Sequence, residues 1–211
     1  MPRTDFLGHL TEARLMAIVR APDADGAVRA ALAICDAGVR LVEISLTTPG
    51  ALDAIARLRS EAPPEVWVGA GTVLTARDVT DVLAAGAGFV VTPALAESVD
   101  AAVAAGVPVA AGAFTPSEVV AALQRGADVV KVFPASILGP GYLRALRDPF
   151  PGVPFMAVGG VGADAARDFL AAGAVAVGVG GPLLGDAATG GDLAALRGRA
   201  QELIHATSGT T

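Results

Sequence analysis

Lysine occurs once in this sequence, at position 131, and apart from two histidines every other basic residue is an arginine. Cysteine also occurs once. A lone Cys35 excludes an internal disulfide framework and fits a reducing compartment, so the expected location is cytoplasmic. Its setting, AALAICDAG, reads as the apolar face of a helix rather than as a reactive thiol. His9 and His205 lie in the terminal segments without clustered partners, so no metal site is expected. No run of basic residues stands out from a net charge of −6, which argues against a nucleic-acid partner. Apolar segments are interrupted every few residues by charge, glycine or proline, and MPRTDFLGHLTEAR has no signal-peptide core. No membrane partner is expected. Aromatic residues are scarce at 4%, whereas hydrophobic residues reach 53%, much of it alanine and valine, alongside 26 glycines. That mixture suits short buried strands crossed by closely packed helices, and 211 residues suffice for one core.

Short β-branched runs alternate with alanine- and leucine-rich stretches, the pattern of repeated strand–helix units. Strands are expected at 15–20, 39–45, 65–70, 88–92, 107–112, 128–133, 153–158 and 174–179. Helices are expected near 23–36, 50–61, 76–84, 94–104, 116–124, 139–146, 163–171 and 190–206. Glycine follows several of these helices, as in DAGV, AAGAG, QRGAD and AAGAV, where a positive φ can close the helix. Asp23, Thr75 and Thr115 are expected N-caps, and Thr115 with Glu118 forms a capping-box pattern. Eight units without a linker predict an α/β single-domain (β/α)8 TIM barrel over 1–211, with a frayed tail at 206–211. An open doubly wound sheet competes, but the first strand leads into APDADG rather than a glycine-rich fingerprint.

Alternation in VVKVFP puts Val129, Lys131 and Phe133 on the inward face and turns Val130 and Val132 toward the helices. A buried ammonium is costly, so Lys131 must be paired, reach a polar cavity, or be partly neutral and hence nucleophilic. The bland alternative is a salt-bridged structural lysine. Glu43 shares the inward face with Leu41 and Ser45, and it reads as an acid/base or as the lysine's counter-ion. Arg20, on the face of Met16 and Ile18, offers a fork for a carboxylate or phosphate; a salt bridge to Glu43 is its structural alternative. GAGT (69–72) can hold a carboxylate through amides or simply turn the chain. VGGVGAD (158–164) and VGVGGPLLG (177–185) follow the last two strands, where barrels often bind phosphate.

Taken together, AIVRA (17–21), VEISLTTPGA (42–51), VGAGTVL (68–74), VVTPAL (90–95), VVKVFPAS (129–136), AVGGV (157–161) and VGVGG (177–181) run in one order over nearly the whole chain. In that order they resemble the 2-keto-3-deoxy-6-phosphogluconate, 2-keto-3-deoxy-6-phosphogalactonate and 4-hydroxy-2-oxoglutarate aldolases. The resemblance implies Lys131 as a Schiff-base lysine and Glu43 as a proton-shuttling acid/base. It implies a carboxylate held by Arg20, Gly71 and Thr72. A pocket of Thr47, Pro93, Phe133 and Val158 and a phosphate among Gly159, Gly160, Gly180 and Gly181 also follow from it. It implies a phosphorylated keto acid as substrate, pyruvate as product, no cofactor, and a homotrimer. Related alternatives are 4-hydroxy-2-oxoglutarate cleavage and a non-catalytic phosphosugar-binding barrel. Three positions depart from the phosphogluconate pattern: Thr47 stands where arginine is usual, Val158 where threonine is, and Gly181 where a serine often binds phosphate.

Overall fold

The computed structural model describes residues 3–209. Eight strands pair side by side in chain order and close into a parallel barrel. They are β1 (Leu15–Val19), β2 (Leu41–Ser45), β3 (Trp67–Gly71), β4 (Val90–Val91), β5 (Val109–Ala113), β6 (Val129–Val132), β7 (Phe155–Val158) and β8 (Ala176–Val179). Each of the eight expected strands is present, though β4 keeps only two residues. The outer ring comprises α2 (Ala24–Asp36), α3 (Ala51–Glu61), α4 (Ala76–Ala84), α5 (Glu97–Ala104), α6 (Pro116–Gln124), α7 (Ala135–Arg147), α8 (Ala163–Ala171) and α10 (Leu193–Thr207). This is the expected TIM barrel.

Local chemistry explains the boundaries. The Asp23 side chain accepts from the Gly26 amide, and Thr115 and Glu118 exchange both bonds of a capping box. Thr75 and Asp78 form a second box. Each such cap satisfies amides that have no acceptor within the helix and stabilises it by about 1 kcal/mol. At the other ends, Gly38, Gly86, Gly126 and Gly173 all have φ between 82° and 108°, as the recurring glycine predicts.

Two helices were not foreseen. α1 (Arg3–Ala13) precedes the barrel, and α9 (Gly181–Leu184) follows β8 directly. Among the described side chains of α1 only Phe6 and Leu10 are fully buried, a stripe too narrow to read as amphipathic. Those two side chains plug the barrel's N-terminal end against Met16, Leu41, Trp67, Phe89, Val129 and Met156. The Phe6 ring lies 5.0 Å from that of Phe89 and 6.2 Å from that of Trp67, centroid to centroid. α7 begins four residues before the expected 139 because Ala135 already turns; Gly139, at φ 70° and ψ 173°, then kinks it ahead of Pro140.

The expected fraying from residue 206 is also corrected. Ala206 and Thr207 are buried within α10, and the Thr207 hydroxyl donates to the Leu203 carbonyl at 2.9 Å. Residues 210 and 211 of that tail lie outside the described residues.

The inner layers grade from apolar to polar along the strands. Val130 and Val132 pack outward with the helices, as do Val42 and Ile44, whereas Leu41 and Val129 face inward. The same alternation carries Glu43 and Lys131 into the barrel near its C-terminal mouth. Glycines are their strand neighbours. In register, Gly69 lies beside Glu43, and Gly112 lies beside Lys131. Adjacent partners in a parallel sheet project to the same face, but the Phe89 ring fills the space at Gly69 and the Pro93 carbonyl fills it at Gly112; the room for the Glu43 carboxylate comes from Gly71.

Candidate active site

Lys131 and Glu43 are 5% and 2% exposed, which makes them the two most consequential polar burials in the chain. Burial lowers the Lys131 pKa below its ordinary 10.5; the Glu43 carboxylate opposes that shift and the Arg20 guanidinium reinforces it. Burial likewise raises the Glu43 pKa above 4.5, against the pull of Lys131 and Arg20. Both shifts favour the uncharged forms, an amine and a carboxylic acid. No ion pair shorter than 4.0 Å joins the two side chains, so their coupling acts across space rather than through a contact. Glu43 Oε2 is buried without a hydrogen-bond partner. A buried carboxylate oxygen left unpaired costs free energy unless another molecule meets it. The ammonium end of Lys131 lies 4.9 Å from the Phe133 ring centroid, which gives its charged form a weak cation–π contact.

A line of polar side chains runs from the rim into this cavity. Arg20 Nε donates to Thr47 Oγ1 at 2.8 Å. Thr47 Oγ1 lies 2.8 Å from Ser45 Oγ, which lies 2.9 Å from Thr72 Oγ1. Arg20 therefore makes no salt bridge to Glu43; its structural alternative from sequence is replaced by a tether to Thr47. Thr72 adopts φ 60°, in the left-handed region that β-branched residues avoid. It follows Gly71 directly, and a methyl group on Gly71 would collide with the Glu43 carboxylate. Gly71 and Thr72 thus bring the carboxylate-binding candidates against the acid/base candidate.

The other expected residues fall around the same mouth. Gly112, beside Lys131, has no space for a side chain because the Pro93 carbonyl group occupies it. Val158 faces inward, and a Cβ on Gly178 would lie 2.8 Å from its Cγ2. Gly159 and Gly160 have φ of 100° and 69°, a backbone that needs glycine. The position of a Gly159 side chain is 3.1 Å from the Phe133 ring. Gly180 caps α9 and Gly181 is its first residue. Pro182 has no N–H, and the Leu183 and Leu184 amides both donate to the Gly180 carbonyl at 2.9 Å, so within α9 itself the first turn has only the Gly181 amide left to offer.

Ser136 is a neighbour that sequence reasoning did not single out. Its amide donates to the Gly159 carbonyl at 3.0 Å, and its hydroxyl lies where a Gly160 side chain would be. Only the run VVKVFPAS hinted at it. Ser45 was legible as an inward residue but not as the link between Thr47 and Thr72, because strand alternation carries no information about side chains 27 residues away.

Other reactive-looking groups lie apart. Cys35 is buried in α2 with its thiol pushed up to about 12 by desolvation, as a packing residue should be. His9 lies against Trp67 at 4.8 Å, ring centroid to ring centroid, and donates its Nδ1–H to the Asp5 carbonyl at 2.8 Å, at the opposite end of the barrel. A cavity of about 620 Å³ there, lined by His9, Arg40, Glu65 and Trp67, holds none of the inward charged pair. Among the described residues no group of three His, Cys, Asp or Glu side chains is placed to hold a metal. No helix among the described residues is long and apolar enough to cross a membrane.

The family model for KDPG and KHG aldolases matches residues 7–197. A 2-dehydro-3-deoxy-phosphogluconate aldolase of Treponema pallidum is 38% identical over 72% of this chain and 73% of its own. A 2-dehydro-3-deoxy-6-phosphogalactonate aldolase of Escherichia coli is 34% identical over 82% of this chain and 85% of its own. A solved structure described as native KDPGal superposes with a TM-score of 0.85 at 32% identity, covering 91% of this chain and 93% of that one.

Proposed function

This chain belongs to the KDPG and KHG aldolase family, and on that premise we propose that it splits a phosphorylated 2-keto-3-deoxy sugar acid into pyruvate and glyceraldehyde 3-phosphate through a Schiff base on Lys131. Its named relatives are aldolases, which are carbon–carbon lyases. The observation that carries the finer reading is the sole lysine of the chain, buried at the barrel mouth with its proton affinity lowered, facing the same cavity as an unpartnered Glu43.

In this reading the Lys131 amine adds its lone pair to the C2 ketone of the substrate. The Glu43 carboxylic acid gives its proton to the departing hydroxide of the carbinolamine; water leaves, and an iminium remains beside the Glu43 carboxylate, an electron sink two bonds from C4. Glu43 as carboxylate takes the proton of the C4 hydroxyl. The electron pair of the O–H bond forms the second bond of the aldehyde carbonyl, the C3–C4 bond breaks and its pair becomes the C2–C3 double bond, and the C=N pair returns to nitrogen to give an enamine. After the aldehyde leaves, the protonated Glu43 returns its proton to C3 and regenerates the iminium. Water then adds at C2, the C–N bond breaks, and pyruvate departs. A carboxyl group whose pKa is raised by burial is suited to both proton transfers near neutral pH.

The anionic ends of the substrate are assigned by chemistry. Arg20, the Gly71 amide and Thr72 receive the C1 carboxylate. Gly159, Gly160, Gly180 and Gly181 receive the phosphate through backbone amides. Thr47, Pro93, Phe133 and Val158 line the chain between. A non-catalytic sugar-phosphate barrel is disfavoured because binding alone gives no reason to desolvate a lysine beside a desolvated glutamate. The protein is further proposed to assemble as a homotrimer, which light scattering would test.

Pyruvate with borohydride should add a stable mass that maps to Lys131 and is missing from Lys131→Arg. A lactate dehydrogenase assay should detect pyruvate released from the phosphorylated acid. Lack of a Lys131 adduct would overturn the covalent mechanism. Turnover of 4-hydroxy-2-oxoglutarate alone, to pyruvate and glyoxylate, would overturn the phosphorylated substrate.

A further inference from the structure

Thr72 can bind a carboxylate only if its hydroxyl proton points into the cavity, and a hydroxyl group by itself has no preference. Its one protein partner of this kind is Ser45, at 2.9 Å. Ser45 is fully buried and also touches Thr47 Oγ1 at 2.8 Å, and it accepts weakly from the Thr47 amide at 3.4 Å. It has one proton to give, so it donates to one threonine and accepts from the other. If Thr72 donates to Ser45, the Thr72 lone pairs face the cavity and repel an anion. If Ser45 donates to Thr72, the Thr72 proton is freed for the ligand. Arg20 breaks the tie, because its Nε–H occupies a lone pair on Thr47 Oγ1 and polarises that hydroxyl to donate onward.

We infer that Ser45 is a positioning residue that relays the charge of Arg20 through Thr47 to Thr72, and so orients the Thr72 hydroxyl toward the carboxylate of the 2-keto acid. The inference rests on the proposed Schiff-base reading and concerns only the carboxylate end of that site. A second feature agrees with it. Thr72 holds a left-handed backbone, which a β-branched residue keeps only when its surroundings fix it. The Ser45 contact is the side-chain bond that Thr72 makes there. Arg20, whose Nε is taken by Thr47, thereby orients Thr72 in addition to offering the carboxylate its terminal guanidinium nitrogens.

The test uses two carbonyl probes and cyanoborohydride trapping on the full chain, with adducts mapped to Lys131. Pyruvate carries the carboxylate; acetaldehyde does not. Ser45→Ala is expected to raise half-saturation by pyruvate about tenfold, the effect of one lost hydrogen bond to a charged group, and to leave acetaldehyde labelling within twofold. Ser45→Thr, which restores a hydroxyl on a strand, is expected to return pyruvate binding to within about threefold of the wild type. If Ser45→Ala does not fold, Ser45→Cys, of similar size but a weak donor, is read in the same way. Equal shifts for both probes would overturn the relay in favour of a general packing role, and an unshifted pyruvate curve would overturn it outright. Absence of a Lys131 adduct in the wild type is a separate result: it would overturn the parent mechanism, and the relay with it.

Discussion

Gly71 lies so close to Glu43 that a single methyl group at position 71 would overlap the carboxylate. The acid/base candidate keeps its place only because its neighbour has no side chain. Gly71→Ala is therefore expected to push Glu43 aside while leaving Lys131, on the opposite strands of the barrel, able to react. A displacement of about 1 Å in a proton-transfer group can cost roughly a hundredfold. Pyruvate should still be trapped on Lys131, whereas cleavage of the phosphorylated acid should fall by one to two orders of magnitude. Equal losses in trapping and cleavage would show that Gly71 serves the whole site rather than Glu43.

The pH dependence of imine formation tests the coupling of the buried pair. The Glu43 carboxylate raises the Lys131 pKa, and burial lowers it. Removing the negative charge leaves burial unopposed, so the free amine should appear at lower pH. Glu43→Gln is expected to move the rising limb of the Lys131 trapping rate toward acid, even as C–C cleavage collapses. A limb that stays in place, or moves toward alkali, would mean that the two groups do not sense each other as a pair.

Much of this arrangement was legible in advance because it depends on short-range rules. Period-two alternation placed Lys131 and Glu43 inward, the family resemblance placed Val158 in the pocket, and glycine after several helices marked the strand–helix rhythm. A lone lysine in VVKVFP drew attention by rarity alone. What escaped was set by contacts distant in sequence. α1 is held by two side chains that meet the bottoms of several strands, so its own pattern is faint. α9 is a single turn, too short to have a period. Ser45 and Ser136 matter through partners that only barrel closure brings near. The reading of Arg20 as a salt-bridge partner of Glu43 failed for a related reason: strand alternation gave its face, but Thr47, in the loop after β2, intercepts its Nε.

Stability should report the cost of the buried lysine. Its folded pKa lies below the unfolded value of 10.5, so between those two pH values the unfolded chain binds more protons than the folded one. The penalty is complete below the folded pKa and fades as pH rises toward 10.5. In a Glu43→Gln background, which removes the opposing charge, Lys131→Met is expected to stabilise the barrel by about 1–3 kcal/mol near neutral pH. The gain corresponds to a rise in Tm of about 2–4 °C per kcal/mol for a chain of this size. Thermal unfolding at several pH values checks it; the advantage of methionine should shrink as the buffer becomes alkaline. A gain that grows with pH would have the wrong sign for a desolvated amine.

Val158 sets the final expectation, the choice between substrates that differ at C4. It faces the cavity at the end of β7, 3% exposed, in register with Gly178 and with its methyl group over that glycine. A hydroxyl at this position could pair with one C4 epimer and fail to pair with the other, and sites built on such a bond discriminate strongly. Valine offers shape and apolar contact, which discriminate weakly. Ser45 is engaged by Thr47 and Thr72 and so is not free to replace a missing threonine. The galactonate-configured phosphorylated acid should therefore be cleaved at least as well as its gluconate epimer, measured as kcat/KM on the purified compounds. Val158→Thr should shift the ratio toward the gluconate epimer, because a new hydroxyl enters a position where the wild type has only methyl groups. A wild type that prefers the gluconate epimer more than tenfold, about 1.4 kcal/mol in the transition state, would refute the preference. If the ratio stays fixed in Val158→Thr, the discrimination arises elsewhere, and Thr47, held at the rim by Arg20, becomes the position to vary next.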